Sequence, residues 1–415
     1  MKRSLFPTFL LSLLSPAMMR PAIAAPVPVK WMEGTLTRDG KPYFIKGAGG
    51  SGSMKELAAR GGNSLRTWGD EGLAEILESA EALHLTVAAG IWMEPECAWF
   101  SYREKTHCDK QTERIRKIIR THREAPALLA WGLGNEAEGD GNNTAFWQQL
   151  GKLAIMARSE DPAHPCFTAV AGITAVKAAG MNEHAPALDF VGINTYGALP
   201  GLRRTLAQIK WARPWVVTEY GPRGFWESPR TTWGAPLEQT STEKAAMFSR
   251  VYPVIAEGGA CGGGYAFLWG QKQEATATWF GLLTKAGLTT PAVDALQEAW
   301  TGHPPANRAP VCSGIRGLPP DGIISPGAPV AAEITASDPE DQISVKWSVF
   351  PAAPAGRDKN GAEIPPPEWA GTISASGLRA SFTAPDLSGS EWRLYVTVTD
   401  GKGHAALANV PFRIR

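Results

Sequence analysis

Short apolar runs alternate with amphipathic helices from about residue 43 to residue 300, and no other feature limits the possible folds as strongly. Parallel strands connected by helices produce this alternation. The predicted strands are 43–47, 63–67, 86–92, 128–134, 167–171, 190–196, 215–219 and 264–269. Eight strand–helix units in roughly 260 residues are typical of a (β/α)8 TIM barrel, and an open doubly wound sheet is the competing architecture.

The helices between these strands support the count. After the second strand, apolar residues recur with the spacing of one helix face. They are Leu73, Ile76, Leu77, Ala80 and Leu83. Before the fourth strand, Ile115, Ile118 and Ile119 repeat the pattern. This second helix should end before Pro126, because proline disfavours helix in the residue ahead of it.

The segments on either side of the barrel differ from it in composition. Residues 1–24 are predicted to be a signal peptide: Lys2 and Arg3 precede an apolar stretch, and a small-x-small site allows cleavage before Ala25. An uncleaved anchor is the alternative. We therefore expect a secreted or periplasmic protein with no membrane span in the mature chain. The barrel is assigned to 25–303, a proline-rich linker to 304–310, and an immunoglobulin-like β-sandwich to 311–415.

The charge balance excludes some partners. The chain has 41 Lys and Arg against 40 Asp and Glu, and removal of the leader with its three basic residues leaves a formal charge of −2. Such a chain offers no attraction for nucleic acid. Of the five cysteines, Cys97 and Cys108 are close in one predicted loop and are the candidate disulfide pair, which leaves the pairing of the other three open.

Two glutamates stand at the C-terminal tips of the fourth and seventh predicted strands, Glu136 in WGLGNE and Glu219 in WVVTEYG. Catalytic side chains of a TIM barrel converge at this end. Retaining glycoside hydrolysis needs one carboxylic acid and one carboxylate about 5–5.5 Å apart. The charge of Glu219 should raise the pKa of Glu136, which makes Glu136 the proton donor and Glu219 the nucleophile.

Other tip residues suit a supporting role. Arg66 should lie beside Glu219 and keep it ionised, and Tyr196 should donate its hydroxyl to the same carboxylate. Asn135 is expected to donate its amide to a sugar hydroxyl, and Trp269 to form the floor under a sugar ring. The chain also has 16 Trp against 14 Phe and 7 Tyr. Indole rings stack on pyranose faces, and the candidates in predicted loops are Trp68, Trp92, Trp99, Trp226, Trp233 and Trp279.

These motifs resemble those of the clan of retaining (β/α)8 glycosidases, and most closely the barrel of glycoside hydrolase family 2. The similarity covers roughly residues 40–300: the WGLGNE segment, the TEYG segment that contains Glu219, and an Asn-x-Tyr pair formed by Asn194 and Tyr196. A histidine at 122 precedes Pro126 with one residue fewer than in the family. The resemblance implies that Glu136 is the acid/base, that Glu219 is the nucleophile, and that Asn194 binds substrate. The second-strand segment at 66–69 is nearer to lone-barrel glucanases and glucanosyltransferases.

The sequence thus predicts an exported retaining β-glycoside hydrolase that acts on a β-linked oligo- or polysaccharide and needs no cofactor or metal. A transglycosylase of the same mechanism and a non-catalytic carbohydrate-binding envelope protein are the alternatives. The C-terminal module is expected to be a spacer or a binding appendage, whose deletion leaves the chemistry intact. The sugar, the linkage, exo or endo action and the oligomeric state stay open.

Overall fold

A computed structural model describes residues 26–359 and 361–415, so the predicted signal peptide lies outside the described residues. In the described part of the chain, no helix is both long and apolar enough to cross a bilayer.

A small antiparallel sheet comes first and was not predicted from the sequence. Its strands are β1 (Val29–Met32), β2 (Thr35–Arg38) and β3 (Lys41–Pro42). Two-residue turns connect them, and Glu33, Gly34, Asp39 and Gly40 all have positive φ. Paired positive φ values are those of the hairpin turn that matches the twist of the flanking strands.

Eight parallel strands then close into a barrel, in the order β10-β11-β4-β5-β6-β7-β8-β9. Their bounds are β4 Ile45–Gly50, β5 Ser64–Arg66, β6 Thr86–Ile91, β7 Leu128–Asn135, β8 Cys166–Ala171, β9 Phe190–Asn194, β10 Trp215–Tyr220 and β11 Cys261–Trp269. The predicted TIM barrel is confirmed, and the open doubly wound alternative is wrong because β10 and β11 pair with β9 and β4 to complete the ring.

Helices surround the barrel. They are α1 Met54–Ala59, α2 Leu73–Ala82, α3 Lys105–His122, α4 Thr144–Glu160, α5 Ala175–His184, α6 Leu202–Gln208, α7 Ser241–Ala256 and α8 Pro291–Thr301. The predicted apolar face of α2 is buried at Leu73, Leu77 and Ala80. The helix α3 ends at His122, ahead of Pro126 as expected. A short 3-10 turn, Leu199–Gly201, precedes α6.

The first sheet covers the N-terminal end of the barrel. Val29 and Leu36 are buried in one cluster with Phe167 and Phe190, which lie near the starts of β8 and β9. The backbone N–H of Val29 donates to the carbonyl of Ala163 at 2.8 Å. This end is therefore filled with apolar side chains, and the opposite end carries the polar residues described below.

The C-terminal region forms two packed sheets. Its strands are β12 Val311–Cys312, β13 Ile323–Ile324, β14 Pro329–Glu333, β15 Ala336–Ser337, β16 Ser344–Pro351, β17 Gly356–Arg357, β18 Glu363–Ile364, β19 Ile373–Ser376, β20 Arg379–Thr383, β21 Glu391–Thr399 and β22 Ala405–Ile414. A four-stranded sheet, β13-β22-β21-β16, faces a three-stranded sheet, β14-β20-β19. Phe382 and Phe412 meet in the shared core, with ring centroids 6.1 Å apart. The region is thus a β-sandwich, as predicted, and its immunoglobulin-like classification stays a prediction.

The predicted disulfide between Cys97 and Cys108 is not formed. All five cysteines lie among the described residues, and all are free thiols. Cys108 is on α3, where its thiol donates to the carbonyl of Tyr102 at 3.4 Å. Sequence proximity alone suggested the pair, but the helix turns Cys108 into the core and leaves Cys97 in the preceding loop.

Candidate active site

A cavity of about 740 Å³ opens at the C-terminal end of the barrel strands. Both predicted catalytic glutamates line it. The residues around the cavity are Trp68, Asn135, Glu136, Ala171, Gly172, Asn194, Thr195, Tyr196, Ala198, Glu219, Trp226, Glu227, Phe267, Leu268, Lys272 and Glu274. Polar and charged side chains thus converge in a concave site beside aromatic rings, and such convergence marks a candidate ligand site.

Glu136 follows β7 directly and has an unusual backbone conformation. Its φ is 53°, and Gly134 two residues earlier has a φ of 79°. The pairing of β7 with β8 shifts register between Gly132 and Asn135. A non-glycine residue in this left-handed region costs of order 1 kcal/mol or more, and such residues concentrate at functional sites. The irregular strand end turns the Glu136 carboxyl into the cavity, where Asn194 Nδ2 donates to Oε1 at 2.7 Å.

Glu219 lies within β10 and is held by three donors. Arg66 Nη1 and Trp68 Nε1 donate to Oε1 at 2.9 and 2.8 Å. The Tyr196 hydroxyl donates to Oε2 at 2.6 Å. Only 6% of Glu219 is exposed, so the ion pair with Arg66 is buried. A carboxylate with a guanidinium and two further donors is stabilised in its ionised form.

One hydrogen-bonded chain joins the two carboxyl groups. Arg66 Nη2 donates to Asn135 Oδ1 at 2.6 Å, and Asn194 Nδ2 donates to the same oxygen at 3.1 Å. Because the Asn135 oxygen already accepts two bonds, its amide N–H groups are left as donors for a ligand. The predicted partners of the two glutamates therefore meet in one network, which fixes the glutamates relative to each other.

The two carboxyl groups differ in their environments. Burial raises the pKa of Glu136, and the negative charges of Glu219 and Glu138 raise it further, against the lowering effect of the Asn194 hydrogen bond. Burial also raises the pKa of Tyr196, with the charge of Glu219 as the next cause, so its hydroxyl stays protonated and donates. From the sequence, only the charge of Glu219 was expected to raise the pKa of Glu136, whereas burial is the larger cause.

Trp269 does not form the floor of the cavity, contrary to the prediction. It is fully buried, and its indole N–H donates to the carbonyl of Ser53 at 2.9 Å. The pairing of β11 with β4 shifts register between Phe267 and Trp269, which turns Trp269 away from the barrel mouth. Phe267 and Leu268 line the cavity in its place.

The loop tryptophans fall into separate groups. Trp68 and Trp226 line the cavity, and Trp226 is half exposed with its ring 5.5 Å from that of Tyr196. Trp279 is buried and donates to the carbonyl of Arg223, and Trp233 donates to the backbone carbonyl of Asp321 at the sandwich. Trp92 and Trp99 are exposed and do not line the cavity. The predicted group of stacking rings is thus reduced to two.

Sequence reasoning missed several polar groups at the cavity. Glu227 accepts bonds from the backbone N–H groups of Gly197 and Gly224, and so ties two barrel loops together. Lys272 and Glu274 form an ion pair of 2.7 Å. No motif marked these residues, because the loops that carry them have no strand periodicity. In the described residues, no group of three or more His, Cys, Asp or Glu is arranged to hold a metal ion.

We expect Tyr196→Phe to lower kcat by about 10- to 100-fold, because one charge-assisted hydrogen bond to the buried Glu219 carboxylate is lost. The aromatic contacts with Trp226 and Phe267 are kept. Steady-state kinetics with a thermal melt checks this, with Tyr252→Phe on α7 as the matched control. A kcat of Tyr196→Phe within twofold of wild type would show that the Tyr196 hydroxyl does not contribute to turnover.

Comparisons with known proteins agree with the barrel. No protein-family model and no curated protein sequence matches the chain. Among solved structures, β-glucuronidase 2 of Bacteroides uniformis aligns over 92% of this chain and 47% of its own, with 16% identity and a TM-score of 0.52. The β-glucuronidase of Bifidobacterium dentium aligns over 67% and 50%, with 16% identity and a TM-score of 0.55. The proposed β-galactosidase of Bacteroides fragilis aligns over 94% and 58%, with 14% identity and a TM-score of 0.51.

The shared feature is the fold. Their identities of 14–16% to this chain are too low to show more than a common fold. The chain spans about half the length of the first two of these structures.

Proposed function

We propose that this protein is a retaining β-glycoside hydrolase, exported from the cell, with Glu219 as nucleophile and Glu136 as acid/base. The observation that carries the proposal is the asymmetry of the two carboxyl groups in one cavity. Glu219 accepts from Arg66, Trp68 and Tyr196, whereas Glu136 accepts from a neutral amide and has a raised pKa. Two carboxyls whose environments separate their protonation states take the roles of acid and base.

The mechanism follows from these states. Glu219 attacks the anomeric carbon while Glu136 gives its proton to the departing glycosidic oxygen, and a covalent glycosyl-enzyme forms. Glu136, now ionised, takes a proton from water as the water oxygen attacks the anomeric carbon. The bond between the anomeric carbon and Glu219 breaks in this same displacement, and both carboxyl groups return to their initial states. If a sugar hydroxyl replaces the water, the same steps give transglycosylation.

The charge of the cavity favours an uncharged sugar over a uronate. Among the described residues that line the cavity, Lys272 is the one cationic side chain, and Glu274 pairs with it. Glu227 adds a further carboxylate to the cavity lining. A sugar carboxylate would therefore meet no unpaired cation and would be repelled by Glu227. We propose a neutral β-glycoside as substrate, unlike the glucuronides in the names of the similar structures.

The sugar preference is measured with 4-nitrophenyl β-D-glucoside, β-D-galactoside and β-D-glucuronide. We expect kcat/KM for the better neutral glycoside to exceed that for the glucuronide by at least about 10-fold, from one unfavourable charge interaction. Glu274→Gln frees Lys272 and should move the ratio toward the glucuronide, whereas Lys272→Gln should not. A wild-type preference for the glucuronide contradicts the assignment of a neutral substrate.

The reaction itself is tested with mature protein and a panel of defined β-linked oligosaccharides, with products read by mass spectrometry. Shortened products establish hydrolysis and identify the linkage, and lengthened products establish transglycosylation. The rival from another class is a carbohydrate-binding protein without turnover. Sugar binding by calorimetry, with no product from any substrate, would favour that rival.

A further inference from the structure

The segment 271–278 lies between the cavity and the C-terminal sandwich. Lys272 and Glu274 line the active-site cavity. Neighbouring residues of the segment, including Ala275 and Thr278, line a second cavity of about 540 Å³ that is shared with β16, β21 and β22 of the sandwich. The segment therefore presents one side to the proposed substrate and the other to the second domain.

Residues of the sandwich hold this segment directly. The backbone N–H of Ala275 donates to Glu363 Oε2 at 2.9 Å, and Glu363 is on β18. Asn409 Nδ2, on β22, donates to Thr278 Oγ1 at 3.3 Å. The two contacts are made at Ala275 and Thr278, one and four residues after Glu274. They therefore hold the part of the segment that forms the cavity wall.

A buried carboxylate, Glu238, joins the segment, the barrel and the sandwich. It accepts from the hydroxyls of Thr276 and Thr278 at 2.6 and 2.8 Å. Lys244 Nζ of α7 donates to it at 2.6 Å, and Asn409 Nδ2 of the sandwich donates at 2.6 Å. Burial alone would raise the pKa of Glu238, but the charge and hydrogen bond of Lys244, the hydrogen bond of Thr276 and the charge of Arg393 together lower it.

Asn409 is itself fixed from the sandwich side. Arg393 Nη1 donates to Asn409 Oδ1 at 2.7 Å, and Arg393 Nη2 donates to the carbonyl of Pro236 at 2.7 Å. The orientation of the Asn409 amide is thus determined, with the oxygen toward Arg393 and the nitrogen toward Glu238. Buried charged groups are tolerated only when paired and hydrogen-bonded, and Glu238 has such partners from both domains, Lys244 and two threonines from the barrel side and Asn409 from the sandwich.

We propose that the sandwich is part of the active-site scaffold: Asn409 and Glu363 are positioning residues that hold segment 271–278, and through it the cavity wall formed by Lys272 and Glu274. This inference rests on the proposed glycosidase function for its kinetic consequence. It replaces the expectation that the C-terminal module is a spacer or appendage. We call Asn409 and Glu363 the clamp. The clamp does not alter the chemistry at Glu136 and Glu219, whereas the binding of substrates that reach the cavity wall formed by Lys272 and Glu274 depends on it.

Two variants of the full chain test the clamp, Glu363→Ala and Asn409→Ala. The matched control is Glu333→Ala, which removes a half-exposed sandwich carboxylate that pairs with Arg316 and Arg379. Glu363 is on a two-stranded hairpin at the edge of the sandwich, so its removal spares the sandwich core even if Asn409→Ala fails to fold. Hydrogen–deuterium exchange of segment 271–278 is the first readout, and it requires no activity.

We expect faster exchange of segment 271–278 in both clamp variants and unchanged exchange in Glu333→Ala. We also expect KM for the oligosaccharide cleaved in the panel to rise about 5- to 10-fold, while kcat on the aryl glycoside stays within about twofold. Unchanged exchange in Glu363→Ala overturns the clamp. Faster exchange with an unchanged KM overturns the positioning role. If wild type cleaves nothing, the proposed function fails, and the exchange data still decide whether the clamp exists.

Discussion

Glu219→Ala is expected to lower kcat on an aryl β-glycoside by at least about 10⁴-fold, because no covalent intermediate forms without the nucleophile. Azide should restore turnover of a substrate with a good leaving group, since it fits the space left by the carboxylate. Azide then attacks the anomeric carbon from the face that Glu219 used. The product is the α-glycosyl azide, which NMR distinguishes from the β-anomer.

The matched control for this variant is Glu183→Ala, which removes a largely exposed carboxylate on α5. This control should keep wild-type turnover and should not form the α-glycosyl azide. Residual activity of Glu219→Ala within 10-fold of wild type would mean that another group is the nucleophile. Recovery of the β-glycosyl azide from Glu219→Ala would assign the acid/base role to Glu219 instead.

Glu136→Ala should remove the alkaline limb of the pH profile of kcat/KM. In wild type, the protonated form of Glu136 is the active one, and burial together with the charge of Glu219 raises its pKa. The acid form therefore persists to higher pH, so the alkaline limb lies above the ordinary glutamate pKa of about 4.3. The position of this limb is measured from pH 3 to 9 on one aryl glycoside.

The loss of activity in Glu136→Ala should depend on the leaving group. An alkyl β-glycoside, whose leaving group needs a proton, should lose about 10³-fold in kcat/KM, whereas a 2,4-dinitrophenyl glycoside should lose about 10-fold or less. Azide should here give the β-glycosyl azide, because it attacks the glycosyl-enzyme on Glu219. An alkaline limb that survives in the variant, or equal losses for both substrates, would exclude Glu136 as the general acid.

The barrel and its two glutamates were predictable because both depend on local patterns. Buried parallel strands read as continuous apolar runs, and the polar residue that ends such a run is placed at the barrel mouth by the fold itself. Arg66 and Tyr196 were placed beside Glu219 in this way, and both donate hydrogen bonds to its carboxylate. No comparable pattern marks the small sheet β1–β3, whose strands are only two to four residues long.

The predictions from sequence were wrong or incomplete where an irregular backbone or a distant segment determines the position of a side chain. A register shift in β11 turned Trp269 into the core, and sequence periodicity does not reveal a single shift. In the same way, the sequence did not reveal that Cys108 is buried on helix α3 and forms no disulfide. Lys272 and Glu274 reach the cavity through a segment held by residues more than 80 positions away, such as Glu363. Contacts of this range depend on how the two domains pack.

The most direct test of the account is to trap the glycosyl-enzyme. Wild-type protein is incubated with a 2-deoxy-2-fluoro β-glycoside of the sugar found in the substrate panel, carrying a good leaving group. The slowed second step lets the adduct accumulate, and peptic digestion with tandem mass spectrometry locates it. We predict one adduct, on Glu219 in the peptide that contains β10. An adduct on another residue, or inverted products with no adduct, would contradict a retaining mechanism with Glu219 as nucleophile.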